Sequence, residues 1–280
     1  MFEYINQQKR IYKRKMKIGF FISILSFVLF FPMVLSLGIA GFFIISFPFL
    51  GGFIYAGMNG GKINQLSQTV KSEYVLPELK KMIPNATYRM HDGFTELEVV
   101  NSGLLRHQDR FHSEDMIEGT LDGIDFKCSD VKQEDVSTDS KGHTHTTTVF
   151  EGRFYQFDFP KTFEKMIVIT QHHPLSFINK HKLVETESIK FNSELSVYSE
   201  DKQAAFYLLT PAFMEKLMRL DETFKDRVSL SFIENKLYIA INNGKNAFEI
   251  PLNKDVDDSL FIDYQEEISH IKMIIETLSL

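Results

Sequence analysis

Hydrophobic residues are spread unevenly along the chain, and their longest run lies near the amino terminus. Between Ile18 and Met58 there is no Asp, Glu, Lys, Arg or His. A helix that crosses a membrane needs about 20 apolar residues, and as one helix this run would be about 61 Å long, roughly twice the hydrocarbon thickness. The pattern therefore predicts a hairpin of two transmembrane helices, at about 18–36 and 38–58, with a tight turn near Gly38.

The pattern then changes to the period of an amphipathic helix. Residues 59–82 carry apolar side chains at about every third or fourth position, which places them on one helical face. Pro84 ends this pattern. We expect a juxtamembrane helical stalk that leads into a soluble domain at residues 83–280.

Alternation with a period of two predicts antiparallel strands in the first half of that domain. Asp122 and Gly123 separate two alternating runs, which is typical of a tight hairpin turn. The polar stretch around Lys141 and Gly142 indicates a second turn, and the segment 160–163 a third. A meander of four strands is expected.

A mixture of helices and strands follows Thr186. Thr210 and Pro211 are typical of the start of a helix. Asn243 and Gly244 predict a further hairpin turn, with a strand on each side. The closing segment predicts a helix whose apolar face consists of Ile268, Ile271, Ile275 and Leu278.

Together these elements predict the α+β fold class, with antiparallel strands and packed helices behind the membrane hairpin. The soluble part forms either one domain or two subunits, 83–186 and 187–280. For its core we expect a partly closed antiparallel barrel of the pleckstrin-homology-like kind, capped by the closing helix.

Charge gives the hairpin an orientation. Residues 1–17 contain six Lys and Arg against the single acidic residue Glu3, and further lysines follow the apolar run. Lys and Arg near spanning segments stay on the cytoplasmic side. We therefore expect a multi-pass protein of the cytoplasmic (inner) membrane, with both termini and the soluble domain in the cytoplasm.

The charge balance also bears on partners. The formal net charge is −6 despite the basic start, so the rest of the chain is acidic and unsuited to nucleic acid. The basic segment either contacts anionic lipid headgroups or serves only as a topology signal. The expected partners are the lipid bilayer, such headgroups and, as a further candidate, another membrane protein.

Three side chains near the second turn are candidate metal ligands. His143 and His145 point to the same face of an extended strand, and Asp139 is the nearest carboxylate. A zinc site needs three or four ligands, and Cys128, His172 and His173 are expected to lie too far away along their strands. The alternative is a solvated hairpin tip without metal.

Other catalytic signals are sparse. Glu114 and Asp115 form an acidic pair that suits acid–base chemistry, or else belongs to a turn or a helix start. No G-x-S-x-G elbow and no phosphate-binding glycine loop between a strand and a helix occur. No cofactor is expected, and the pattern favours a non-enzymatic protein while leaving an enzyme open.

Six short segments, taken in their order along the chain, resemble the pattern of a known family. They are SGLL at 102–105, SEDMIEG at 113–119, VFEGRF at 149–154, FNSELSVYSED at 191–201, LLTPAFMEKL at 208–217 and the closing IIETLSL. As an ordered set over nearly the whole chain, they resemble a bacterial membrane-anchored family catalogued as domain of unknown function 3137. The resemblance implies an amino-terminal membrane hairpin and assigns no catalytic residue.

We expect the glycine and phenylalanine residues of these segments to have structural roles. Gly103, Gly119 and Gly152 suit turns or close backbone approach, and Phe150, Phe154 and Phe157 are expected to alternate into one core. We therefore expect a non-enzymatic, membrane-tethered binding or scaffolding module. The alternatives are a membrane-anchored metal-assisted hydrolase and an accessory subunit of a transport or secretion complex.

Overall fold

The computed structural model describes four stretches of the chain, namely residues 2–171, 182–224, 227–250 and 254–280. The chain divides into two compact units. The first combines residues 1–75 with 249–262, and the second combines residues 76–248 with 263–280.

The first unit is built on one long apolar helix, α1 (Phe2–Val70), which runs into a π-helical turn at Lys71–Val75. At Gly38 the backbone angles, φ 56° and ψ −133°, leave the helical region. Among the described residues, one helical stretch, residues 2–82, is long and apolar enough to cross a membrane.

Residues on the two sides of Gly38 contact each other. The Ser23 hydroxyl donates a hydrogen bond of 2.9 Å to the carbonyl oxygen of Phe49, 26 positions away. A Cβ on Gly19 would lie 2.7 Å from the carbonyl oxygen of Gly52. In a straight helix these two pairs of residues would be about 39 Å and about 50 Å apart. The helix therefore bends back at Gly38, the position at which the sequence predicts a turn.

The start of α1 holds a segment from the other end of the chain. The side-chain amide of Asn6 donates to the carbonyl oxygen of Val256 at 2.8 Å and accepts from its backbone N–H at 2.7 Å. Arg10 pairs with Asp255, and the ammonium group of Lys9 donates to the carbonyl oxygen of Lys254. Two of the basic residues that precede the apolar run are therefore engaged within this unit.

The second unit is an antiparallel sheet of seven strands with helices packed on it, which confirms the α+β class. Its strands are β1 (Thr87–Arg89), β2 (Arg110–Leu121), β3 (Ile124–Thr138), β4 (Thr144–Gln171), β5 (Lys182–Val184), β6 (Leu195–Ser199) and β7 (Arg227–Asn242). Its helices are α2 (Leu76–Met82), α3 (Glu96–Asn101), α4 (Ile189–Glu194), α5 (Lys202–Leu208), α6 (Pro211–Phe224) and most of α7 (Asp258–Leu278), which begins in the first unit.

The sheet is open, so the expected partly closed barrel is wrong. The strand order is β1-β2-β3-β4-β6-β5, with β7 paired to β4 beside this path. Among the described residues β1 pairs only with β2, and β5 only with β6. Both terminal strands have three residues, too few to close a barrel between them. Helices cover the sheet instead.

One strand, β4, extends through the segment where the sequence predicts a turn at residues 160–163. Against β7, the register of β4 shifts on both sides of the pair Phe163–Glu234. Glu234 has a φ of 52°, so β7 is bulged opposite the same part of β4. A bulge tolerates Pro160, which has no N–H to donate to a ladder. The two strands bend together where the sequence predicts a turn after residue 159.

The two predicted tight turns have different outcomes. Leu121 pairs with Ile124 around Asp122 and Gly123, which confirms the hairpin between β2 and β3. After β7 the chain turns at Gly244 but forms no strand over residues 246–250, so the predicted final hairpin is wrong. The reason is that the backbone N–H of Ala247 donates to Asp130 of β3 instead of to a neighbouring strand.

Both faces of the central sheet are buried. Phe150 and Phe154 belong to one core, in which Phe154 packs edge-on against Phe94 at 5.1 Å. Phe157 is fully buried but faces the opposite side, where it stacks on Tyr155. The three phenylalanines therefore do not share one core, because positions 154 and 157 differ by an odd number. The predicted apolar face of α7 is buried as expected.

We predict that Gly152→Ala destabilises the sheet by about 1–3 kcal/mol, the usual range for overpacking. A Cβ at this position would lie 2.0 Å from the backbone carbonyl oxygen of Ile241 on β7. Urea unfolding followed by circular dichroism measures the change. Thr147→Ala, at an exposed position of the same strand, is the control and should stay within about 0.5 kcal/mol. Equal effects in the two variants would contradict the close approach of β4 and β7.

Candidate functional site

The three candidate metal ligands lie together at an exposed hairpin tip. His143 Nδ1 is 3.1 Å, and His145 Nε2 is 3.7 Å, from the same oxygen of Asp139. The other oxygen of Asp139 accepts the backbone N–H groups of Lys141 and His143, each at 2.8 Å. These bonds lower the pKa of Asp139, chiefly through the N–H of His143. The carboxylate therefore shapes the turn between β3 and β4.

No metal-binding group of three or more His, Cys, Asp or Glu side chains occurs in the part of the chain that the structure describes. Cys128 is buried, and its ladder partner is Tyr155, far along the strands from the tip. His172 and His173 lie outside the described residues. The metal site at Asp139, His143 and His145 thus stays a prediction.

We predict that the full chain, dialysed after incubation with Zn²⁺, retains well under one zinc per chain. The physical reason is that both imidazoles are exposed and share a carboxylate already used by the turn. Elemental analysis of the wild type and of the double variant His143→Ala/His145→Ala should give the same low value. One zinc per chain that disappears in the double variant would establish a site at the tip.

The acidic pair Glu114 and Asp115 lies in β2, at a shift in its register with β3. Asp115 is fully buried with a φ of 60°, and it accepts a hydrogen bond from the hydroxyl of Tyr88. Glu114 accepts a bond of 2.6 Å from the side chain of Asn246. Both structural alternatives, a turn or a helix start, are therefore wrong, since the pair forms a bulge in a strand.

Beside this bulge lies a buried charged cluster centred on Arg153 of β4. Its guanidinium donates to Asp130 Oδ1 at 3.0 Å and contacts Cys128 Sγ at 3.1 Å. The ladder places these groups together, since Asp130 is the partner of Arg153, and Cys128 the partner of Tyr155. Only 1% of the Arg153 side chain is exposed. A buried charge requires such partners because desolvation is costly.

Burial controls the protonation of this cluster. It raises the pKa of Cys128 to about 11, so the thiol stays protonated and unreactive at neutral pH. It raises the pKa of Asp130 to about 7, against the opposing pull of Arg153. Burial lowers the pKa of Arg153, but its interactions with the surrounding acidic groups outweigh burial and hold that pKa well above its usual value. Arg153 is therefore cationic at any ordinary pH.

The cluster fastens the segment that follows β7. Asp130 Oδ2 accepts the backbone N–H of Ala247 at 2.9 Å, and the Arg153 guanidinium lies 5.1 Å from the ring centre of Phe248. Tyr264 of α7 donates to the carbonyl oxygen of Phe248 at 3.1 Å. Its central groups are shielded from solvent, so the geometry suits a structural clamp and offers no substrate access.

Comparison with known proteins gives a family for the carboxyl-terminal part. Residues 148–280 match the family described as "Protein of unknown function (DUF3137)". Over this segment the chain is similar to that family. The resembling segments at 102–105 and 113–119 lie outside the match. No curated protein matches the chain.

A solved structure also resembles the chain at a distance. It is the crystal structure of the mycobacterial trehalose monomycolate transport factor A, TtfA, with a TM-score of 0.38 and 9% identity. The similarity covers 75% of this chain and 96% of that one. A TM-score this low assigns neither fold nor function to this chain.

The boundary of the DUF3137 match passes through the charged cluster. Arg153, Ala247 and Phe248 lie inside the DUF3137 segment, whereas Asp130 and Cys128 lie upstream on β3. Sequence reasoning missed this cluster because VFEGRFYQFDF reads as an aromatic core strand. The signal in the sequence was a single arginine, Arg153, in the middle of a strand that is otherwise rich in aromatic residues.

We predict that Asp130→Leu alone destabilises the sheet unit by about 3–5 kcal/mol, because it leaves Arg153 charged and without its carboxylate. The double variant Asp130→Leu/Arg153→Met should cost less than this single change, since it removes the buried charge as well. Urea unfolding measures both.

Lys272→Ala, which removes an exposed i,i+4 pair with Glu276, is the control and should cost at most about 0.5 kcal/mol. A double variant that costs as much as Asp130→Leu alone, or more, would contradict the expected cost of an unpaired Arg153.

Proposed function

We propose that the protein is a membrane-tethered binding or scaffolding module whose sheet unit is held at a bilayer by α1. The observation that carries this proposal is the exposure of the apolar helix. Only 17% of its most apolar 18-residue stretch is buried. Phe27, Phe31 and Phe47 are 70–77% exposed. The core helix of a soluble protein would bury such side chains, whereas hydrocarbon accepts them at no cost.

In this proposal, α1 crosses the bilayer twice as a hairpin with its turn at Gly38. The contacts of Ser23 with Phe49 and of Gly19 with Gly52 support two packed arms. Small residues let helix backbones approach closely in lipid, where no hydrophobic drive pairs them. The basic residues at 9–17 then place both ends of the hairpin, and the sheet unit, on the cytoplasmic face of the inner membrane.

Anionic lipid headgroups are the partner we propose for the remaining basic residues of this segment. Lys9 and Arg10 contact residues 254 and 255, whereas Arg14, Lys15 and Lys17 lie next to the apolar run. Each Lys or Arg near an anionic surface contributes about 1 kcal/mol. These residues suit the headgroup level because Ile18 begins the apolar segment directly after them.

We favour a binding role over an enzyme because the buried or partly buried charged groups of the sheet unit already bond to other groups of the protein. The acidic pair hydrogen-bonds to Tyr88 and Asn246, and the Arg153 cluster is shielded from solvent. A metal-assisted hydrolase would need the exposed tip residues Asp139, His143 and His145. An accessory role in a transport or secretion complex is one form that a scaffolding module could take, and another membrane protein would be its partner.

We predict that spin labels at Tyr12→Cys and Lys62→Cys give a distance far below the roughly 75 Å of a straight helix. The Lys62 ammonium group lies 5.6 Å from the ring centre of Tyr12. Double electron–electron resonance on the full chain in nanodiscs measures the distance. Cys128 is buried and should stay unlabelled. As a control, labels at Tyr12→Cys and Ser36→Cys lie on one arm and should give about 36 Å. A long distance for the first pair would refute the hairpin.

Carbonate extraction and reporter fusions test the tether and its orientation. The full chain should remain in the membrane pellet after carbonate extraction, and alkaline phosphatase fused after Leu280 should be inactive. A chain that is released to the supernatant has no spanning helix. An active phosphatase fusion would place the sheet unit outside the cytoplasm.

A further inference from the structure

A half-open cavity of about 170 Å³ lies between the bend of β4 and helix α6, within the sheet unit. Its apolar wall is formed by Phe159, Leu208, Phe213 and Leu278. Phe159, Leu208 and Leu278 are themselves buried, so the wall continues into the core. A cavity of about 150 Å³ with apolar walls holds one benzene molecule, so this one accommodates a body of similar size.

Two lysines line the same cavity. Lys161 donates to the carbonyl oxygen of Tyr207 at 3.0 Å, and Lys216 donates to that of Leu278 at 3.3 Å. An ammonium group has three donors, so each lysine keeps donors for a ligand. No Asp or Glu is among the described residues that line the cavity. Other lysines of this unit, such as Lys127 and Lys132, instead pair with carboxylates. The cavity therefore combines an apolar wall with positive charge.

The immediate surroundings extend the same chemistry. Lys161 lies 4.2 Å from the ring centre of Tyr207, which is 63% exposed and directly precedes the cavity-lining Leu208. Helix α6 begins at Pro211, and Thr210 and Ala212 contribute to the lining. The amino-terminal end of a helix carries partial positive charge, which adds to that of the two lysines.

We propose that this cavity binds a small amphiphilic anion, in which a carboxylate or a phosphate monoester is attached to an apolar body of about six carbons. The acidic group contacts Lys161 and Lys216, and the apolar body packs against Phe159, Phe213 and Leu278. Such a ligand could be a free acid or the headgroup end of an anionic bilayer lipid. The site goes beyond the tethering role. A free acid would bind without the tether, whereas a bilayer lipid as ligand rests on it.

The absence of tryptophan from the chain allows a direct binding assay. Tyr207→Trp places a single indole at the rim of the cavity. Its fluorescence is followed in the full chain in phosphatidylcholine nanodiscs as hexanoate or hexyl phosphate is added. We expect saturable changes with both anions. Inorganic phosphate and 1-hexanol, which supply the head and the body alone, should give none at the same concentrations.

Substitution of the lysines tests the assignment of the site. In the Tyr207→Trp background, Lys161→Gln/Lys216→Gln should weaken binding about tenfold or more, as expected for lost bonds to a charged group. Lys127→Gln/Lys132→Gln, which makes the same change in net charge on β3, should stay within about twofold. The melting temperature of each variant identifies any that fail to fold.

Three outcomes would overturn the proposal. Equal responses to hexanoate and 1-hexanol would mean simple partitioning, and a response to inorganic phosphate alone would mean an unspecific anion site. Equal affinities in the two double variants would place the ligand elsewhere. If the proposal holds, nanodiscs with phosphatidic acid separate the two sources. Loss of the hexanoate response identifies the bilayer lipid as the ligand, and an unchanged response identifies a free acid.

Discussion

The ion pair between Arg153 and Asp130 is the interaction on which the arrangement of the sheet unit depends. A guanidinium in the interior is costly unless its charge is matched, so β3 must supply a carboxylate in register with position 153. Asp130 then serves two elements with its two oxygens, Arg153 through Oδ1 and the backbone of Ala247 through Oδ2. The segment after β7 is consequently bound to β3 and cannot form a further strand. Phe248, which follows directly, packs beneath the guanidinium and against Tyr264 of α7.

The length of β4 follows from a second constraint, which is the matched bend of two strands. β7 pairs with β4 on both sides of the bend, while the opposite edge of β4 passes from β3 to β6. The bulges around Phe163 and Glu234 bend β4 between the part that pairs with β3 and the part that pairs with β6. The same bend places Phe159 and Lys161 beside the start of α6, where the cavity lies.

The sequence predicted those features that depend on local pattern. The apolar run, the turn at Gly38, the hairpin at Asp122 and Gly123 and the buried face of α7 each arise from residues close together in the chain. The open sheet, the continuous β4 and the Arg153 cluster were not predicted, because each depends on pairing between distant strands. Pro160 illustrates the ambiguity, since its missing N–H suits a turn and a bulge equally well. Arg153 and Asp130 are 23 positions apart, and only the register of β3 and β4 shows that they meet.

The charged groups of the chain fall into separate classes. Residues 18–58 contain none of them. The sheet unit buries the charge of Arg153 and pairs it with Asp130, and the guanidinium also contacts Cys128 and the ring of Phe248. Lysines at the surface of the sheet, such as Lys132, face carboxylates of neighbouring strands. Lys161 and Lys216 differ from both classes, since they face backbone carbonyls at the edge of an apolar cavity. Positive charge next to an apolar surface is what a site for an amphiphilic anion requires.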